Sequence, residues 1–256
     1  MNESILKRRW KKFKTLKRGY YSLLTLTVLY TISFFLPILI NNRALIVKYD
    51  DSLHFPIFSG YISGEEFGQD VPGEAKYRKL KEEFSKQVET GNWVLMPPYP
   101  YSPYEDITTE GNKMYESPSR KHWLGTDNTG RDVFARLCYA FNISISFALI
   151  LTVINYVIGV LIGGTMGYFG GKFDLIFQRL IEIWSSLPML FVIIILSSIL
   201  KPSFLLLIGI YTLVNWISMT YLMRAEFYRE KSRAYVAAAL SMGQSNFKVM
   251  FKHILP

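Results

Sequence analysis

Apolar residues fall in blocks along this chain, not at the scattered spacing of a soluble core. Four blocks reach the roughly 20 residues that a bilayer crossing needs: residues 20–40, about 144–167 inside the uncharged stretch 137–171, roughly 183–200, and 203–223. All four avoid charge, which costs about 2.5–3.5 kcal/mol per residue at the centre of an inserted helix. Between the first two blocks lies a long polar stretch, 41–136. Within it, Tyr77, Leu80, Phe84 and Val88 recur at helical spacing. With Pro72 before and Gly91 after, they predict a helix over 74–90. Next comes Trp93-Val-Leu-Met-Pro-Pro-Tyr-Pro-Tyr-Ser-Pro-Tyr104, whose proline density favours extended, polyproline-like backbone. Its tyrosines stack either on the loop's own helix, as a stiff packed connector, or on a partner, as a peptide-binding surface.

Composition agrees with a membrane chain. Of 256 residues, 50% are hydrophobic and only 19% charged, against about 25% in average proteins. The formal charge of +9 clusters beside apolar blocks, which favours a membrane over nucleic acid. Lys7, Arg8, Arg9, Lys11, Lys12, Lys14, Lys17 and Arg18 precede the first block. That block is too long for a signal-peptide core and lacks a small-residue cleavage site, so it reads as an uncleaved anchor with a cytoplasmic N-terminus. Alternation then puts 41–136 outside, the loop 170–182 inside, a tight turn at Lys201-Pro202 outside, and everything after 223 inside. The last segment carries Arg224, Arg229, Lys231, Arg233, Lys248 and Lys252 against Glu226 and Glu230, the sign this orientation requires. The expected fold class is an all-α membrane protein, a polytopic transmembrane helical bundle with a long extracytoplasmic loop. Its parts are a basic N-terminus (1–19), a first transmembrane helix (20–40), an outer loop with an amphipathic segment (41–136), and a membrane core (137–256) ending in a cytoplasmic loop (224–256).

Little points to catalysis. One cysteine, Cys138, excludes an internal disulfide and a cysteine metal cluster, and His54, His122 and His253 lack metal-ligand spacing. Gly170-Gly-Lys172 fails as a phosphate loop, because Met166 stands where its first glycine belongs and Phe173 follows the lysine. No catalytic, cofactor or metal site is expected. Before the second block stands His122-Trp-Leu-Gly-Thr-Asp-Asn-Thr-Gly-Arg-Asp132. Gly125 and Gly130 permit tight backbone, Thr126 and Asp127 suit a cap, and Asp127–Arg131 or Asp132–Arg136 would pair if helical. This reads as a capped amphipathic segment on the membrane surface. Gly159, Gly163, Gly167 and Gly171 repeat every fourth residue, on one helix face, for close packing within the subunit or at a subunit interface. Asp174, Arg179 and Glu182 flank the third block; Asn155, Thr212 and Asn215 bond between helices or line a pathway.

The closing segment, 235–256, is the most specific. Ala237, Ala238 and Ala239 make a slim helix, Gly243 can end it in the left-handed conformation, and Ser245 can cap the next. Phe247, Met250, Phe251 and Ile254 then mark an apolar face. Such an elbow is shaped to be gripped in the cytoplasm; the alternative is a basic helix on anionic lipid.

These residues resemble a known family. The closing segment is similar to the cytoplasmic EAA loop of ABC-importer permeases, with Gly243 and His253-Ile-Leu-Pro256 in place. Leu124-Gly-Thr-Asp-Asn-Thr-Gly-Arg-Asp132 (family positions Gly125, Thr126, Asp127, Gly130, Arg131 and Asp132), the glycine-rich second block and Tyr168-Phe-Gly-Gly-Lys-Phe-Asp174 resemble the second, C-type permease of dipeptide and oligopeptide importers. Trp93 and Pro97-Pro98 in the outer loop resemble the microcin C-like branch. The likeness is strong over 121–256 and weaker across the outer loop. It implies a type I importer permease of the inner membrane for peptides or peptide-like solutes. Its partners would be a second permease, two ATPase subunits, an extracytoplasmic solute-binding protein and membrane lipid, without nucleic acid and without enzymatic activity of its own. Ala237, Ala238, Ser241, Met242, Gly243, Gln244 and Ser245 would form the ATPase-coupling loop. Ala237 stands where the family usually has Glu. The family also continues with two spans past the final proline, so a chain longer than 256 is expected. The alternative is a membrane-anchored receptor or scaffold whose outer loop binds a ligand or protein.

Overall fold

The computed structural model describes residues 5–70, 73–86, 91–107 and 115–256. It divides into two compact units, Met1–Ile145 and Ser146–Pro256.

The first unit opens with α1 (Ile5–Thr15) and α2 (Lys17–Ser33), then a short α3 (Leu36–Leu39). The single span expected over 20–40 is therefore broken. Pro37 sits in the first turn of α3; a proline lacks the N–H for a helix bond and clashes with the carbonyl four residues back, here that of Ser33, where α2 stops. Along α2 the hydroxyls of Thr27, Thr31 and Ser33 donate to the carbonyls of Leu23, Thr27 and Tyr30. Each of these hydroxyls is thereby paired within the helix.

The stretch after α3 holds strands that the hydrophobic pattern did not predict. A three-stranded antiparallel sheet is ordered β2 (Ser52–His54), β1 (Ile46–Tyr49), β3 (Trp93–Leu95). Asp50 and Asp51, both at positive φ (47° and 56°), make the two-residue turn between β1 and β2. In Ile46-Val-Lys-Tyr49 the charged Lys48 shares a face with Ile46, and Trp93-Val-Leu95 is apolar on both faces, so no period-2 signal marked them. A short α4 (Pro56–Ser59) follows β2. Val47 and Val94 share one core with Phe67 and with Tyr77, Leu80 and Phe84 of α5 (Tyr77–Lys86). The expected helix over 74–90 thus begins three residues late; Pro72, Val88 and the rest of 87–90 lie outside the described residues. Arg78 of α5 pins the proline-rich stretch. It donates to the Pro100 carbonyl at 2.7 Å, grips Glu105 with both Nη atoms (2.9 and 2.7 Å), and lies 4.8 Å from the Tyr101 ring centre. The stretch packs on its own helix, as a connector would; Tyr104 alone of its tyrosines is strongly exposed.

The second unit follows α6 (Val133–Phe169), which crosses the unit boundary, with α7 (Gly171–Ser185), α8 (Met189–Ile199), α9 (Phe204–Lys231), α10 (Ala234–Ser241) and α11 (Asn246–Lys248), the last running into a π-helical turn over Val249–Ile254. Among the described residues, α6 and α9 are long and apolar enough to cross a membrane; α7 and α8 qualify together, bent by 67°. The third expected span, 183–200, is thus two helices meeting near Pro188, and the expected loop 170–182 is helical. α6 and α9 run parallel: Phe147 meets Phe204 and Tyr211, Gly159 meets Met219, and Gly167 meets Arg224. Two parallel helices require the chain between them to return, so the bent α7–α8 pair makes the return passage.

Candidate functional site

The closing elbow is built around one turn. The Gln244 N–H reaches the Ala239 carbonyl at 3.3 Å and the Gly243 N–H reaches Leu240 at 2.9 Å, with Gly243 at φ +77°. This is a Schellman ending of α10, and its left-handed position favours glycine. A Cβ on Gly243 would meet nothing within 4 Å, so conformation and not space is the constraint.

Two faces result. Val236, Ala239, Val249 and Met250 turn inward and pack with Tyr168 and Phe227. Ala237, Ala238, Ser241, Met242, Gly243 and Ser245 are exposed, and Gln244 partly so, its Oε1 lying 2.7 Å from His253 Nε2. The small residues and Met242 (71% exposed) make a thin rim, beside which Phe247 projects at 65% exposure.

The second half of the elbow differs from expectation. Ser245 occupies the N-cap position, yet its side chain makes no capping bond. Phe247 and Phe251 do not share a buried face with Met250 and Ile254. The π-helical turn gives more residues per turn than an α-helix, so Val249, Met250 and Ile254 face the core while both phenylalanines swing outward.

One side-chain hydrogen bond ties the elbow to α6, and two further contacts join the helices behind it. The Tyr168 hydroxyl, at the end of α6, donates to Asn246 Oδ1 at 2.8 Å, and Lys231 Nζ lies 5.5 Å from the Tyr168 ring centre. Arg224 of α9 holds Asp174 of α7 by two bonds of 2.6 Å, and Gln178 adds a third at 2.9 Å. The glycines of α6 form the seam with α9. A Cβ on Gly163 would lie 2.2 Å from the Thr220 carbonyl oxygen, and one on Gly167 2.3 Å from that of Arg224. Gly159 is as close to Met219. These glycines pack within the subunit. Gly171 leaves the series: α6 ends at Phe169, and Gly170 and Gly171, both at positive φ, start α7 in a new direction. The sequence places Tyr168 and Asp174 in a family-like motif and Arg224 in a basic segment, but points to no partner for any of them. Beyond that motif the signal is an acid and a base fifty residues apart, which only the packing of α7 on α9 brings together.

The 122–132 motif, in the first unit, is a turn-rich knot and not an amphipathic helix. Asp127 Oδ1 accepts from the N–H groups of Thr129 and Arg131 at 2.9 Å and from the Thr129 hydroxyl at 2.8 Å, while its Oδ2 pairs with Arg136. Neither expected i,i+4 ion pair forms, because the segment bends at Gly125 (φ +73°) and Gly130 (φ +68°). Asp132 caps α6 through the Ala135 N–H (2.8 Å), and its other oxygen meets the Tyr99 hydroxyl at 2.6 Å and His122 Nδ1 at 2.8 Å. Thr126 Oγ1 accepts from the Glu116 N–H. Burial, then the bond to Asp132, pushes the Tyr99 hydroxyl well above its ordinary pKa, so it remains a donor. Tyr99, His122 and Asp132 share hydrogen bonds, so the knot serves as a clasp at the start of α6. No group of three or more metal-ligating side chains occurs among the described residues.

Residues 159–256, from the first seam glycine to the end of the elbow, match the family model described as binding-protein-dependent transport system inner membrane component. The chain is 41% identical over 251 residues to the inner membrane ABC transporter permease protein YejE of Escherichia coli (strain K12), covering 97% of this chain and 72% of that one. It is 34% identical to the peptidoglycan transport system permease protein YejE of Agrobacterium fabrum (98% and 71% covered). It is 36% identical to the dipeptide transport system permease protein DppC of Bacillus subtilis (61% and 48% covered). The chain belongs to this permease family. The permease fold expected from the motifs is thereby shown. The family match spans the seam, the ion pair and the elbow, the elements that make one packed body of the second unit.

Proposed function

We propose that this chain is a transmembrane subunit of an ATP-driven importer for peptides or peptide-like solutes. It forms the translocation path with a second permease, receives solute from an extracytoplasmic binding protein, and seats its elbow on an ATPase subunit. The observation that carries this reading is the elbow's exposed rim. Ala237, Ala238, Ser241 and Gly243 offer short side chains and open backbone outward beside Met242, while Val236, Ala239, Val249 and Met250 lock the same two helices to α6 and α9. A push on such a rim moves packed helices and not a loose loop, as a two-state switch requires. The peptide class rests on the relatives named for dipeptide and peptidoglycan transport.

The same reading gives the orientation. The basic N-terminus stays in the cytoplasm, α2 leads out, α6 leads in, the bent α7–α8 pair leads out again, and α9 returns. The chain serves as a transport subunit, with ATP hydrolysis on its partners.

The test is substrate-stimulated ATP hydrolysis by the purified assembly carrying Gly243→Trp. Stimulation should fall at least tenfold while both permeases and the ATPases still co-purify. Stimulation at the unmodified level would overturn the seat. A receptor or scaffold would show none in either form.

A further inference from the structure

The N-terminal helix carries an arrangement that permease function leaves unexplained. α1 and the first residues of α2 hold eight basic residues between Lys7 and Arg18 and no acidic one. At 100° per residue, Leu6, Trp10 and Phe13 fall on one narrow stripe, and the cations cover the rest of the circumference. The chain then breaks: Leu16, at ψ 73°, is not helical, and α2 restarts with the Tyr20 N–H on the Leu16 carbonyl. The break is held by aromatic rings. Trp10 stacks on Phe13 with centroids 5.7 Å apart, both rings meet Tyr20 edge-on at 6.5 and 6.4 Å, and Tyr21 follows at 5.7 Å. Lys14 Nζ lies 5.9 Å from the centres of both Trp10 and Tyr20. The Gly19 backbone rests against the Phe13 ring.

A basic cluster that only sets topology needs neither a helix nor a fixed angle; charge beside the span is enough. Here an aromatic clasp fixes a cationic helix to the end of a span. Tryptophan and tyrosine settle at the level of lipid headgroups. A helix with a thin apolar stripe and a cationic remainder lies in that plane, burying the stripe and extending its charged tips.

We propose that α1 is an anchoring site for anionic phospholipid on its own side of the membrane. Leu6, Trp10 and Phe13 enter the headgroup boundary, and Arg8, Arg9 and Lys12 gather headgroup phosphates. The ligand is the phosphodiester of an acidic lipid. The density of positive charge with no acid in the same stretch selects it over a neutral one. This inference does not depend on what the permease transports.

The full chain in nanodiscs tests it without any substitution. Amide exchange over 5–15 should slow at least tenfold in a phosphatidylglycerol–phosphatidylcholine mixture relative to phosphatidylcholine alone, and high salt should reverse this. Native mass spectrometry should find phosphatidylglycerol retained through detergent. The triple variant R8Q/R9Q/K12Q should lose retention on the order of a hundredfold, at about fivefold per cation near a charged surface. The triple variant R8K/R9K/K12R should keep it. Equal exchange in the two bilayers, or equal retention by the Gln variant, would show the cluster to be a topology signal only. Retention lost in the charge-preserving variant as well would assign the effect to helix packing and also overturn the site.

Discussion

Asp174 and Arg224 meet in a two-point ion pair that ties the first turn of α7 to the far part of α9, each bond 2.6 Å long. Asp174 is largely buried, Arg224 about one-third exposed. A planar guanidinium matches a carboxylate at two points; an ammonium meets it at one. Asp174→Asn should therefore destabilise the subunit by about 1–2 kcal/mol, a value set below that of a fully buried charged bond because water reaches Arg224. Arg224→Lys should cost a similar amount despite keeping its charge. The reversed double variant Asp174→Arg/Arg224→Asp should recover part of the loss. Thermal unfolding of the detergent-purified protein reads all three, and an unchanged midpoint in both single variants would show the pair to be ornamental.

The α6–α9 seam leads to a second prediction. Carbonyl oxygens of Thr220 and Arg224 stand 2.2 and 2.3 Å from where a Cβ on Gly163 or Gly167 would be. Backbone cannot yield as a side-chain tip can, so even alanine must part the helices. Gly163→Ala or Gly167→Ala should each cost about 1–3 kcal/mol, in the range of overpacked cores. At Gly209, where a Cβ meets nothing within 4 Å, alanine should cost far less. A cysteine crosslinking rate between α6 and α9, or the unfolding midpoint, distinguishes the positions. Equal effects at 163 and 209 would contradict the close approach.

Much of this architecture was legible in the order of residues because membranes impose simple rules. Uncharged blocks marked α6 and α9, the four-residue glycine period marked their seam, and Gly243 marked the turn. What escaped depended on geometry at a distance. Pro37 and Pro188 broke two apolar blocks that composition alone ran together. The strands around Val47 and Val94 were hidden because neither alternates cleanly: Lys48 shares a face with Ile46, and Trp93-Val-Leu95 is apolar on both. An α-helical period puts Phe247 and Phe251 on one apolar face with Met250 and Ile254, and the π-helical turn does not obey that period. His122 and Asp132, ten residues apart, showed no sign of their shared hydrogen bond with Tyr99, since turn chemistry and not periodicity brings them together.

Tyr168 gives a third prediction. Its hydroxyl bonds Asn246 in the second half of the elbow, and its ring packs in the buried cluster below Lys231. Tyr168→Phe removes the hydroxyl and keeps the ring. The loss should be about 0.5–1.5 kcal/mol, the net worth of a neutral hydrogen bond. It should be local: amide exchange over 246–254 should quicken while α10 keeps its protection. If α10 and α11 loosen together, the elbow is one cooperative piece and the hydroxyl is not its separate fastener.

At Gly243 the backbone itself can be tested apart from any contact. The residue sits at φ +77° with open space where a Cβ would go. Replacement therefore costs conformational energy only, about 1–2 kcal/mol for an ordinary residue in the left-handed region, with asparagine tolerated best because its short polar side chain suits that conformation. The expected order of stability is Gly243 above Gly243→Asn, above Gly243→Ala, above Gly243→Val, whose branched side chain is the stiffest. Bulk would dictate a different order, with alanine mildest. Unfolding midpoints of the four proteins decide between the two. The proposed ATPase seat adds a second readout, since a partner pressed against the rim would sense side-chain volume even where the isolated subunit does not. Gly243→Asn should then leave the fold nearly intact and still weaken coupling, separating the turn's structural part from its part in transmission.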